Sequence, residues 1–150
     1  MIVYRITSKK YSERLSSSGV ANLWNRDREY VIYAAQSRSL ASLELVVHRS
    51  MIKPNSPYKV LLIELDIPKS QILKVNHQDL PINWKSMQAY NQLQNIGSDW
   101  YSNKKKLVLQ IPSAVIPQES NYVINTQHPL FTSQVKIIER EDYFWDKRLL

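Results

Sequence analysis

Apolar and polar positions alternate along most of this chain, and only two stretches carry a helical period. Ile2-Val3-Tyr4-Arg5-Ile6 is β-branched and aromatic and predicts an opening strand. Leu15-Ser-Ser-Ser-Gly19 reads as a loop or helix end, and residues 22–29 as a polar loop around one buried tryptophan, Trp24. Residues 30–34 predict a second strand. A helix follows, capped by Ser37 or Ser39, with Leu40, Leu43 and Val47 at helical spacing on one face. It should run to His48 or Arg49 and end before Pro54.

Residues 58–66 alternate and then run apolar, the pattern of a central strand, and Pro68 closes it. Residues 72–75 predict a short strand, 88–95 a mainly polar helix closed by Gly97, and 106–111 a strand that stops at Pro112. Residues 121–125 and 134–141 predict two further extended runs. Strands dominate, two helices are inserted, and strict strand–helix alternation is absent. The expected class is α+β, a mixed β-sheet core with a few helices.

Composition narrows the chemistry. A chain of 150 residues, 43% of them hydrophobic and 22% charged, fits one ordered domain over 1–150. With only Gly19 and Gly97, a glycine-rich phosphate cradle is excluded, so any bound nucleotide must be held by side chains. The absence of cysteine excludes a disulfide framework, a thiol nucleophile and a thiolate zinc site. His48, His77 and His128 are too scattered for a metal signature, and none is expected. No stretch approaches the roughly 18 apolar residues of a membrane span, and the first residues lack the order of a signal peptide, so the cytoplasm is expected. A formal charge of +7 favours an anionic partner: nucleic acid, an acidic protein or a phosphate-bearing small molecule. Direct nucleic-acid binding ranks last, because the aromatics do not interleave with basic residues and Lys104-Lys105-Lys106 reads as a solvated turn.

Three local features carry candidate chemistry. Glu44 and His48 lie four apart and share a helix face, as an acid–base pair, a grip for a ribose hydroxyl, or an ordinary surface pair. Pro112-Ser113-Ala114 ends a strand and aims one hydroxyl at the sheet edge, unless Ser113 is simply a loop serine. Asn121-Tyr-Val-Ile-Asn125-Thr-Gln-His128-Pro129 packs amides, a ring and an imidazole into nine positions, which Asx turns alone would also explain.

Taken in order, these pieces resemble a known family. Val3-Tyr4-Arg5-Ile6, Leu23-Trp24-Asn25, residues 31–35, residues 39–48, Leu80-Pro81-Ile82-Asn83-Trp84 and Ile96-Gly97-Ser98-Asp99-Trp100 are similar to blocks of the RES domain. The resemblance continues through residues 111–117 and 119–125 to His128-Pro129, covering nearly the whole chain. It implies a fold similar to ADP-ribosyltransferases and a bacterial toxin that degrades NAD by hydrolysis or phosphorolysis, or transfers ADP-ribose to a protein. Phosphate is then a co-substrate candidate. The implied partner is a small Xre-type antitoxin that covers the active site, with DNA reached only through it, and with dimers or larger toxin–antitoxin assemblies.

Residue by residue, the resemblance maps the family glutamate to Glu44, the serine to Ser113, a tyrosine to Tyr33 and a histidine to His48. It assigns catalysis to Glu44, Tyr33 and Ser113, ribose or phosphate contacts to Ser113 and His48, and pocket shape to Asn25 and Asn125. The family arginine is replaced by Leu23, which has neither donor nor charge for a diphosphate. Arg5, Arg26 and Arg28 are the cations that could stand in, though the reading does not rest on them. Leu23 therefore predicts weakened or absent turnover and has the form of an inactivating substitution; a leucine codon in the native gene would argue against that. The competing expectation is a catalytically dead module that still binds its antitoxin and tunes repression of its own operon.

Overall fold

One seven-stranded sheet organises the computed structural model, which describes every residue from Met1 to Leu150. Its strands are β1 (Ile2–Ser8), β2 (Val31–Ala35), β3 (Tyr58–Leu65), β4 (Ile72–Lys74), β5 (Val108–Pro112), β6 (Ser120–Asn125) and β7 (Val135–Tyr143). The helices are α1 (Arg38–Val46), α2 (Tyr90–Asn103) and the single turn α3 (Phe131–Gln134). Strand order is β4-β5-β6-β2-β1-β3-β7, with β4 and β5 parallel and every other pair antiparallel. The class is α+β with a mixed sheet, as the strand-rich pattern requires.

Alternation explains which face each strand buries. Leu61, Ile63 and Leu65 of β3 join Ile32, Ala34, Val108 and Ile124 in a core on one face. Val60 and Leu62 point the other way and pack with Ile6 and Ala35 under Leu40 and Ala41 of α1. Also on that second face, Val31, Leu109, Ile111 and Val123 meet Trp24, Leu93 and Trp100 beneath α2. Both helices thus cover one face, and a gap remains between them.

The sheet itself parts at the same place. β1 and β3 pair along seven residues, and β2 and β6 along five, but β1 and β2 share one registered pair, Tyr4 opposite Ala35. Arg5 stitches the split by donating from Nη1 to the Tyr33 carbonyl at 3.0 Å, supplying a bond that the ladder lacks.

Two helix boundaries correct the sequence reading. Ser37 is the cap of α1, accepting from the Leu40 N–H at 3.1 Å, but the helix ends at Val46 and Val47 is exposed. Gly97 does not close α2: the helix runs through it to Lys104, which takes the left-handed conformation (φ 53°) usual for a terminating glycine. Gly97 is a packing residue, since a Cβ there would lie 1.6 Å from the Trp24 carbonyl oxygen. Leu93, Gly97 and Trp100 form the buried stripe of a 14-residue helix.

Candidate active site

The gap between α1 and α2, over the parting of β1 and β2, is a cavity of about 560 Å³, within the usual ~300–1,000 Å³ of small-molecule sites. Glu44 is the one carboxylate among its lining residues, and Arg5 and Lys85 are its basic side chains besides His48. Tyr33, Leu23, Tyr90 and Ile111 supply apolar wall, and His48 stands exposed at the rim.

Glu44 is half-buried on α1 and is held from the sheet below. Ser113 Oγ donates to Glu44 Oε1 at 2.7 Å, and Asn121 Nδ2 donates to the same oxygen at 2.6 Å. Ser113, fully buried just past β5, also accepts from the N–H groups of Val115 and Ile116 at 3.0 Å each. Those two bonds occupy its lone pairs, so its one proton is committed to Glu44. Ser113 is thereby an orienting donor and not a free nucleophile. Both donors converge on Oε1, which leaves Oε2 as the oxygen for a ligand.

Tyr33 is also occupied. Its hydroxyl donates to Asn25 Oδ1 at 2.7 Å and accepts from the Trp24 N–H at 3.1 Å. Burial pushes the phenol well above its ordinary range, so it stays protonated, and only its ring is offered to the cavity. Asn25, itself buried, spends its amide on the carbonyls of Val20, Arg26 and Glu29. Tyr33 and Asn25 therefore fix the loop that carries Leu23.

That loop is tied to α2 by Arg26, whose guanidinium donates to the Gln94 carbonyl and to Ser98, Asn91 and Asn95. Arg26 is turned away from the cavity, and Arg28 does not line it either. Of Arg5, Arg26 and Arg28, the three cations expected as candidates for a diphosphate, only Arg5 borders the site. Its burial lowers its pKa, yet an arginine remains a cation at physiological pH. Leu23 lines the cavity and packs against the tryptophan cluster.

The structure thus gathers Glu44, Tyr33, Leu23 and His48 around one space, with Asn25 behind it and Ser113 buried beneath Glu44. It does not bring Asn125 there. Asn125 shares its face with Asn121 but lies four residues further along β6, where it is fully buried and donates to the Tyr101 carbonyl at the far end of α2. Asn121, which the sequence reading includes in the nine-residue stretch from Asn121 to Pro129 without a role of its own, is the asparagine at the site. Its signal was its even spacing from Val123 and Asn125 on a strand, which puts it on the helix-covered face.

A family model, the RES domain, matches residues 2–146. The chain belongs to the RES family. Among relatives of this RES domain, Toxin Res of Photorhabdus laumondii is 32% identical over 154 residues, spanning all of this chain and 97% of that protein. Toxin Res of Yersinia enterocolitica is 30% identical over 153 residues, 99% of each chain. The Prs ADP-ribosylating toxin of a Sphingobium strain is 29% identical over 130 residues, 85% of this chain and 79% of its own. The fold is shared with a chain of the M. tuberculosis MbcT–MbcA toxin–antitoxin complex, at a TM-score of 0.75 and 18% identity over 95% of this RES domain and 84% of that chain. No helix of the molecule is long and apolar enough to cross a membrane.

Proposed function

We propose that this RES domain is the toxin of a cytoplasmic toxin–antitoxin pair, and that its reaction breaks the nicotinamide–ribose bond of NAD. The observation that carries this reading is the Glu44 carboxylate, braced on Oε1 by two donors inside a cavity with cationic and apolar walls. As the bond loosens, the ribose gains oxocarbenium character, and a fixed carboxylate stabilises that charge. Nicotinamide leaves with the bonding electron pair. The new bond forms between the ribose carbon and water or phosphate, whose proton passes to Glu44 Oε2 or to solvent. Arg5 and Lys85 suit the diphosphate, the Tyr33 ring the nicotinamide or ribose, and His48 a hydroxyl or phosphate at the rim.

The relatives named as toxins support the biological role, and the one named as ADP-ribosylating supports NAD as the substrate. The fold shared with a chain of a toxin–antitoxin complex fits an antitoxin partner, of the Xre type by family resemblance, with this RES domain in a dimer or larger assembly with it. Leu23 favours a second reading, a module that keeps antitoxin binding and operon control without turnover.

The test is NAD loss, with and without phosphate, for the chain itself, Leu23→Arg, and Leu23→Arg with Glu44→Ala. A guanidinium in place of Leu23 adds charge-assisted bonds of about 1.5–3 kcal/mol, roughly ten- to a hundredfold in kcat/KM. Leu23→Arg should consume NAD faster than the chain itself, and the double variant should not consume it. Phosphate dependence separates phosphorolysis from hydrolysis. Silence of all three gives the second reading the lead.

A further inference from the structure

Asn121 carries a feature that stability alone does not explain. Its Nδ2 must face Glu44, because a carboxylate accepts and does not donate. Its Oδ1 is consequently turned inward, buried and without a hydrogen-bond partner. A buried amide oxygen with no protein partner is destabilising, and such groups are few in native proteins. Asn121 sits on β6 opposite Ala35 and Ile111, two buried apolar residues, so an apolar side chain would suit the position's surroundings better. The one partner that the amide does have is the carboxylate of the cavity.

We infer that Asn121 is a positioning residue for Glu44. Together with Ser113 it fixes Oε1 from beneath and sets the direction in which Oε2 meets the ribose, at a cost in fold stability. The inference rests on the NAD-cleaving reading, and it adds to that reading the residue that sets the carboxylate's geometry. The two donors differ in role. Ser113 is locked by two backbone N–H groups and belongs to its turn as much as to the site, whereas the Asn121 side chain serves Glu44 only.

The experiment compares Asn121→Leu and Asn121→Asp in the Leu23→Arg form, measuring kcat, KM, melting temperature and the pH profile of NAD loss. Asn121→Leu should lower kcat on the order of a hundredfold, as misplaced catalytic groups do, with KM changed by less than about threefold. Its melting temperature should stay level or rise. Asn121→Asp places a second carboxyl beside Glu44, and that pair shares a proton. The variant should be poor near neutral pH and recover as pH falls, when the new carboxyl is protonated and donates to Oε1 in place of the amide. An unchanged kcat, or a loss that follows a lowered melting temperature without recovery in acid, would overturn the inference.

If Leu23→Arg itself consumes no NAD, the functional reading fails, and crystal structures of the two variants decide the positioning claim separately. A Glu44 carboxylate that swings away from Ser113 in Asn121→Leu supports it. One that stays within about 0.5 Å in both variants overturns it.

Discussion

At Ser113 one hydroxyl holds three neighbours: it donates to Glu44 and accepts from Val115 and Ile116. Removing it strands two N–H groups in a turn that has no other acceptor for them. Ser113→Ala should cost about 2 kcal/mol of stability, the scale of buried donors left unsatisfied. A urea titration reads this as a lower midpoint at an unchanged slope. An unchanged midpoint would mean that water replaces the hydroxyl. The sequence puts this serine at a strand end and family resemblance gives it a ribose or phosphate contact, but neither shows that its proton is already committed to Glu44. Leu23 shows the opposite case, because the expectation that it replaces a family arginine comes from the sequence resemblance alone. Only the structure shows that Arg5 borders the cavity while Arg26 is spent on α2.

At the scale of elements, the contact between α2 and the Leu23 loop shapes one wall of the cavity. Gly97 lets the helix approach the Trp24 backbone, and Arg26, Gln94 and Ser98 then bind the loop with side chains. In Gly97→Ala the new Cβ would meet backbone and not a movable side chain. That substitution should destabilise by roughly 3 kcal/mol or more, at the upper end of overpacking, despite the better helix propensity of alanine. Thermal unfolding measures the loss, and a stabilised Gly97→Ala would refute the close approach. The glycine misled the sequence reading because a helix-ending glycine and a helix-packing glycine look alike without a partner helix or loop in view. Leu93, Gly97 and Trp100 fall at helical spacing, but the middle member of that stripe is the glycine that local rules make a stop.

For the whole molecule, the parting of the sheet between β1 and β2 matters most. It divides the strands into β4-β5-β6-β2 and β1-β3-β7, and the chain makes its last crossing between them through the turn after β6. His128 holds that turn. It is buried, its Nδ1 accepts from the Leu130 N–H at 3.1 Å, and its backbone N–H donates to the Asn125 carbonyl. Burial lowers its pKa below the ordinary value near 6.5, outweighing the Lys104 carbonyl, which raises it. The unfolded chain therefore binds the proton more readily than the folded one. The stabilisation is fully present above pH about 6.5 and is lost as pH falls through the lower folded value. Melting temperatures between pH 7.5 and 5 should fall less steeply for His128→Gln than for the unaltered chain. Parallel slopes would assign the acid sensitivity to other groups.

What the sequence determined by itself was local: the strand-forming runs, a serine cap for α1 at Ser37 or Ser39, the lack of a glycine cradle or a cysteine, and the ordered blocks that mark a RES domain. These follow from side-chain chemistry and short spacings, which a linear reading carries in full. The tertiary structure alone decided where the sheet parts, how α2 passes the Trp24 backbone, and that Asn121 and not Asn125 reaches Glu44. Glu44 and Asn121 are 77 residues apart and meet at 2.6 Å, because a helix and a strand pack face to face. Local spacing sets which face of an element a side chain takes, and only packing sets what stands opposite.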